Sequence, residues 1–209
     1  NGGVGGALSN SGNSVNTIFG CVFGGFNDGD ANRANQGGAI ANYSATSTIT
    51  NSKFYNNTAT NQGGAIYNSS TVNINADGSI GDGLTEFTGN TQGAVGSKVS
   101  NAIYNTGTVN LNAYLGGKIL FNDNIFGGTF NINPTTVSTA YDGTLSFIAP
   151  VQSATVNFYN GLLDNVRFEE VNFNFRGVNE TTVQNSYFQN NSRVVNQDVN
   201  TIAYLTGDT

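Results

Sequence analysis

Histidine, tryptophan and methionine are absent from this sequence, cysteine occurs once, and only 10% of the residues are charged. Without His, neither a Ser-His-Asp nor a Cys-His nucleophile system can be built, and a His-ligated zinc site is excluded. A single Cys21 rules out an internal disulfide. Its neighbours Ile18, Phe19, Val22 and Phe23 predict a buried thiol. Near-absence of Cys is common in the cytosol, and it also suits a chain that crosses an outer membrane unfolded. The basic residues number seven against 13 acidic ones, for a net charge of −6. Arg33, Lys53, Lys98, Lys118, Arg167, Arg176 and Arg193 are scattered along the chain. No cluster of them neutralises a run of phosphates or an anionic lipid surface, which argues against nucleic acid as a partner. No apolar run reaches the roughly 18 residues of a membrane-crossing helix, so no membrane insertion by this segment is expected. Good helix formers are sparse, and no stretch sustains a 3.6-residue period.

Apolar residues make up 37% of the chain, below the usual share of about 45–50%. A globular ball would struggle to fill its core with that. A thin stack needs only one or two inward residues per strand. Disorder is argued against by 14 Phe, 9 Tyr and the modest net charge.

What the sequence does contain is Asn, Gly and repetition. Asn is the commonest residue, with 35 copies, followed by 28 Gly. A Phe followed three residues later by Asn recurs at Phe54–Asn57, Phe87–Asn90, Phe121–Asn124 and Phe188–Asn191. The first two intervals are 33 and 34 residues and the third is 67, about two more periods. A second phrase, Gly-Gly-Ala-Ile, occurs at Gly37-Gly38 and Gly63-Gly64, and with Leu at Gly5 to Leu8. A longer match aligns Thr48 to Asn57 with Thr182 to Asn191 without gaps. Self-similarity at such periods is the mark of a stacked, quasi-one-dimensional architecture.

Strand signals are everywhere. Thr71 to Asn75, Thr108 to Asn112, Thr129 to Asn133, Thr155 to Phe158 and Val171 to Phe175 alternate apolar and polar residues, placing the apolar set on one face. Gly reaches positive φ freely and Asn tolerates it, so these residues suit recurring corners. Asn stacked above Asn could hydrogen-bond up the stack. The expected fold is therefore all-β, a right-handed parallel β-helix of roughly eight rungs, about 40 Å long at 4.8 Å per rung. Residues 1–209 read as one β-helix domain. Residues 130–176, with both prolines (Pro134 and Pro150), read as less regular rungs. An antiparallel sandwich is the alternative. Its hairpin dipeptides are few, at Asp28-Gly29, Asp77-Gly78, Asp82-Gly83 and Asp142-Gly143. The chain opens in mid-pattern, without Met or a signal peptide, which reads as a piece of a longer repeat protein.

The paired phrases Phe-x-x-Asn and Gly-Gly-Ala-Ile resemble those of the chlamydial polymorphic outer-membrane proteins and related autotransporter passengers. Phe54 to Ile66 carries both in succession, and Phe87 to Val95 is a degenerate copy. The resemblance covers residues 1–125 and returns at Thr182 to Asn191. It implies a secreted, surface-displayed β-helix acting in adhesion, anchored by a C-terminal barrel that this chain does not contain.

Three sets of residues are candidates for chemistry. Parallel β-helices include polysaccharide lyases and hydrolases, and Asp164, Arg167, Glu169 and Glu170 cluster in sequence. Glu169 and Glu170 are adjacent, hence on opposite strand faces, and the simpler reading of the group is a solvated charged rim. Asn27 to Asp30, Asn75 to Gly78 and Asp82-Gly83 loosely resemble Ca²⁺ loops, although turn chemistry explains them as well. The tyrosines are spread along the chain. Tyr55 and Tyr187 neighbour core Phe54 and Phe188, so strand alternation turns them outward, and Tyr67 lies in a similar phrase. Outward Tyr suits contact with a protein or a glycan, because it offers large area at low entropy cost. Rung-to-rung stacking is the plainer reading of the same residues. Five sequons, starting at Asn42, Asn56, Asn68, Asn179 and Asn190, leave glycosylation an option.

The expected function is a non-enzymatic, adhesin-like scaffold at a bacterial cell surface or in secreted form. It would attach to a host or neighbouring-cell protein or glycan, or assemble end to end. A carbohydrate-active β-helix is the alternative. A structural or ice-binding solenoid ranks last, because the strand-initial Thr71, Thr108, Thr129 and Thr155 are unevenly spaced.

Overall fold

The structure, a computed structural model, describes residues 3–27, 29–134, 143–176 and 181–196, and the backbone of 203–206. Asp28, Tyr141, Asp142 and Asn179 lie outside the described residues, and Tyr204 is described in its backbone alone. The chain winds as a parallel β-helix of about eight rungs, visiting three eight-stranded sheets in turn. Sheet I runs from Leu8–Asn10 through Ile40–Asn42, Ile66–Asn68 and Ile103–Asn105 to Tyr187–Gln189. Sheet II runs from Val15–Phe19 through Thr46–Thr50, Thr71–Asp77 and Thr108–Tyr114 to Arg193–Asn196. Sheet III runs from Val22–Gly24 through Lys53–Tyr55, Leu84–Thr88 and Lys118–Phe121 to Ala203–Thr206. A short fourth sheet holds Arg33–Gln36, Thr58–Gln62, Thr91–Gln92 and Val99–Ser100. Only its last pair, Thr91 with Ser100 and Gln92 with Val99, is antiparallel among the described strands. That pair closes a local hairpin and leaves the winding untouched.

The period-2 segments do what their patterning requires. On sheet II, Ile49, Ile74, Leu111, Ile132, Phe158 and Phe175 align in register and are buried. Strands within 130–176 continue the same sheets in the same register. On sheet III, Phe23, Phe54, Phe87, Phe121 and Phe147 form a continuous column, with ring centroids 4.6–5.2 Å apart and near-parallel planes. Each such ring removes a large apolar area from water, worth about 1.5–3 kcal/mol, and each stacked pair adds about 0.5–1.5 kcal/mol.

Phe188 does not belong to that column. It lies on sheet I, partly buried, stacked on Phe168 at 4.9 Å. The alignment of Thr48–Asn57 with Thr182–Asn191 is an alignment of corners, not of rungs. Asn51 turns the chain from sheet II to sheet III at φ 47°, and Asn185 turns it from sheet III to sheet I at φ 49°. The following serine then repeats one bonding pattern at both places. Ser52 Oγ donates to Thr50 O (2.9 Å) and accepts from Cys21 N–H (3.2 Å). Ser186 Oγ donates to Gln184 O (2.8 Å) and accepts from Val166 N–H (3.1 Å). Eight of the eleven described non-Gly residues with positive φ are Asn, so the corner chemistry is Asn chemistry. Asn191, at φ 63°, is such a corner residue and is exposed.

The Gly-Gly phrase divides two tasks. Gly63 takes positive φ (71°), whereas Gly64 sits where a Cβ would meet Asn101 O at 2.4 Å, too close for any side chain. The following Ala39 and Ala65 are fully buried. Cys21 corrects the expectation of a buried thiol. It occupies the corner between Val15–Phe19 and Val22–Gly24 and is exposed, as are Phe19 and Val22 beside it. Alternation is broken at that corner, so an apolar neighbourhood in sequence did not become one in space. Rung length varies widely: 37 positions separate Ile66 from Ile103, whereas 17 separate Val151 from Phe168.

Phe87→Ala, removing a fully buried ring with a ring stacked on each side, is expected to destabilise the chain by about 3–5 kcal/mol in urea unfolding followed by circular dichroism. Phe188→Ala, at a half-buried site with a ring stacked on one side, should cost well under that. Equal losses would contradict the assignment of the two rings to different environments.

Candidate functional site

Two internal ladders position everything on the surface. Inside the sheet I corner, Asn42 Nδ2 donates to Asn68 Oδ1 (2.8 Å) and Asn68 Nδ2 to Asn105 Oδ1 (2.8 Å), all three side chains being buried. After the Phe column, Asn57 Nδ2 donates to Asn90 Oδ1 (2.9 Å), and Asn90 Nδ2 donates to Asp123 Oδ2 (2.8 Å). The third place on this ladder is therefore held by Asp123, not by Asn124 of the Phe-x-x-Asn phrase. Asn124 is half-buried and donates instead to Gln152 Oε1 (3.2 Å). A ladder of amides running this way would end on an Nδ2 donor that still needs an acceptor. A carboxylate ends it as a pure acceptor. Asp123, 4% exposed, takes N–H bonds from Gly89 (3.0 Å) and Asn90 (2.8 Å) and a hydroxyl bond from Ser100 (3.3 Å). Burial pushes its pKa above the ordinary carboxylate value, and these hydrogen bonds pull the other way without cancelling it.

The outward side of sheet I carries an aromatic stripe. Tyr67, Tyr104 and Phe126 align in register, and Tyr43 leans on Tyr67. Successive centroids are 5.4, 6.2 and 5.1 Å apart. Burial first, then the neighbouring Tyr67, raise the pKa of the Tyr43 phenol, whose hydroxyl donates to Gln36 Oε1 (2.7 Å). Beyond Phe126 the same column turns polar, as Gln152, Glu169 and Gln189.

The outward side of sheet II is a polar face. Thr46, Thr71, Thr108, Thr129 and Thr155 stand in one register column, and Thr48, Asn73, Asn110, Asn131, Asn157 and Asn174 in the next. Uneven spacing along the chain, which ranked an ice-binding solenoid last, thus becomes an unbroken Thr column in space. The Asn side chains of the second column bond to each other, from Asn174 to Asn157 (3.1 Å) down to Asn110 to Asn73 (2.8 Å).

Of the expected contact residues, Tyr67 lies in the aromatic stripe. Tyr55 lies on sheet III, and its hydroxyl donates to Glu86 Oε2 (2.7 Å). Its acidity is strongly suppressed, by burial first and then by that bond. Tyr187 is exposed on the last strand of sheet I, in register with Arg167. The three do not gather into one site. Tyr104, Phe126 and Tyr43 were missed as a group. The repeated phrase Ala-Ile-Tyr-Asn at Ala65 and Ala102 was the available signal.

The carboxylates of the enzyme alternative are each engaged. Asp164 Oδ1 accepts from Asn185 (2.9 Å), Glu169 pairs with Arg167 (3.0 Å) and accepts from Gln152 (2.6 Å), and Glu170 Oε2 accepts from Ser153 (2.7 Å). Asp164 belongs to sheet III and Glu169 to sheet I, with Glu170 at a corner (φ 55°). The acidic turns considered for Ca²⁺ use their oxygens locally. Asp30 accepts from Asn27, Asp77 from Ser79, and Asp82 from Leu84 and Lys53. The Lys53 contact is the main reason that Asp82 is more acidic than usual. No group of three or more His, Cys, Asp or Glu is placed to hold a metal among the described residues.

Asp123 generates a pH dependence of definite sign. Its folded pKa is raised, so the folded state holds the proton more tightly than the unfolded chain. Stability therefore rises as pH falls from the folded value toward the unfolded one near 4. In Asp123→Asn that rise should vanish. Urea midpoints measured from neutral pH downward check it, and parallel curves for the two proteins would refute it.

No protein-family model matches this chain, and no curated protein and no solved structure matches it.

Proposed function

We propose that this chain is a non-enzymatic, adhesin-like β-helical scaffold, displayed at a bacterial cell surface or secreted. On this reading it attaches to a protein or glycan of another cell. The observation that carries the reading is the outward stripe Tyr43–Tyr67–Tyr104–Phe126. Half-buried rings held in a row by a rigid sheet present a broad apolar area with polar tips. Such a surface loses little entropy on contact. The resemblance of the Phe-x-x-Asn and Gly-Gly-Ala-Ile phrases to autotransporter passengers supports the surface location. So does a chain that reaches its fold without disulfides.

Replacing Tyr67, Tyr104 and Phe126 together by Ser should leave the winding intact, since all three face outward, and should weaken attachment to whole cells or to a glycan array by about tenfold or more. Unchanged attachment would overturn the reading. So would turnover of a polysaccharide that is lost on mutating Asp164, Glu169 or Glu170.

The Thr column of sheet II favours a second reading, an ordered polar face for a regular surface such as ice. Against it, the adjacent Asn amides are already bonded along the stack. The expected outcome of a thermal-hysteresis assay is no activity. Activity lost in Thr108→Leu would promote this reading over the first.

A further inference from the structure

Among the described residues two pairs of tyrosines stack on one another, Tyr43 with Tyr67 and Tyr67 with Tyr104. The pairs differ. Tyr43 meets Tyr67 at 46°, and its hydroxyl is already committed to Gln36 Oε1. Tyr67 and Tyr104 hold the same register position on the parallel strands Ile66–Asn68 and Ile103–Asn105. Their planes lie 11° apart and their centroids 6.2 Å apart. That distance is well above the contact separation of about 3.5–4.0 Å, so the rings overlap by their margins and not centre over centre. Both rings are half-buried, and neither hydroxyl is taken up by a hydrogen bond among the described residues.

Two side chains that leave adjacent parallel strands at one register position point the same way. Their outward ends, each a hydroxyl with an ortho carbon on either side, therefore stand about one 4.8 Å rung apart. On the far side of Tyr104 lies Phe126, stacked at 5.1 Å and lacking a hydroxyl. The two phenols are thus bounded by a ring without a phenol on one side and by a tethered phenol on the other.

We propose that Tyr67 and Tyr104 form an oxidative cross-linking site, joined ring to ring when the folded chain meets hydrogen peroxide and a peroxidase. Each phenol gives up one electron and one proton. One hydrogen peroxide takes both electrons and both protons and leaves as two waters. The two phenoxyl radicals then pair through an ortho carbon of each ring, forming one C–C bond. The hydrogen on each of those carbons is lost as a proton, each phenoxyl oxygen is reprotonated, and both phenols are restored. The protein loses two hydrogen atoms in all. The new bond ties the third strand of sheet I to the fourth across 37 positions, the longest rung of that sheet. A cross-link restricts the unfolded chain most where the loop it closes is long. With one cysteine, the chain has no internal disulfide to do the same. The proposal concerns the reactivity of the pair and does not rest on the adhesin reading.

The test is treatment of the dilute full chain with a haem peroxidase and one equivalent of hydrogen peroxide, followed by dityrosine fluorescence, intact mass and peptide mapping. Trypsin cuts after Lys53, Lys98 and Lys118, so Tyr67 and Tyr104 leave in different peptides. The expected product is a monomer lighter by two hydrogen atoms, in which peptide 54–98 is bonded to peptide 99–118 through Tyr67 and Tyr104. The same oxidation of the urea-unfolded chain should give at least about tenfold less of it, because the held geometry is gone. Tyr67→Phe and Tyr104→Phe keep the rings and the stack and should each abolish it. Tyr43→Phe should leave its yield unchanged. The cross-linked monomer should unfold at a higher urea midpoint than the untreated chain. Linkage through Tyr43 instead, products formed only between molecules at every dilution, equal yields from folded and unfolded chain, or a midpoint that does not rise would each overturn the proposal.

Discussion

Parallel register between successive rungs is the constraint from which the remaining features follow. In a parallel stack each inward position meets its own counterpart above and below. An apolar residue at such a position must find a shape that tiles with itself, and a polar one must bond to its like. Phe solves the first problem on sheet III by stacking rings face to face from Phe23 to Phe147. Asn solves the second because one amide both donates and accepts, so Asn42, Asn68 and Asn105 bond in series up the stack and give their remaining N–H to nearby backbone carbonyls. The high Asn content is thus the polar half of the core. It makes good the shortage of apolar residues that a compact ball of this size would need.

Much of this was legible, because a period in sequence reports a period in space. Phe54, Phe87 and Phe121 were found by spacing alone, and so were the buried faces of Thr71–Asp77 and Thr108–Tyr114. The failures share a cause. Phe188 was aligned with Phe54 through an Asn-Ser phrase, but that phrase encodes a left-handed turn followed by a serine bond. Any corner can use it, so local similarity did not carry rung identity. Asp123 was passed over in favour of Asn124 because Phe121–Asp123 is one residue shorter than Phe54–Asn57. An isosteric carboxylate fills the place at the cost of a slightly different approach. Phe23 and Phe147 escaped notice since neither is followed by Asn.

The outward residues were less legible than the inward ones. A surface column exists only after the rungs are in register, and register is not readable from unequal intervals. The Thr column from Thr46 to Thr155 looked irregular for that reason, as did the tyrosines that became a stripe. Function in such a fold is written on surfaces assembled by winding. The alternation pattern that reveals the core says only that these residues point away from it.

The disparity between a 37-position rung and a 17-position one has a consequence for how this kind of protein changes over generations. Since only the short strands must tile, whatever lies between them is extruded sideways without shifting the coils above or below. An inserted or deleted stretch there alters what the molecule displays and leaves its backbone lattice alone. The hairpin between Thr91–Gln92 and Val99–Ser100 is such an extrusion. The architecture separates the part that heredity must keep from the part it is free to vary.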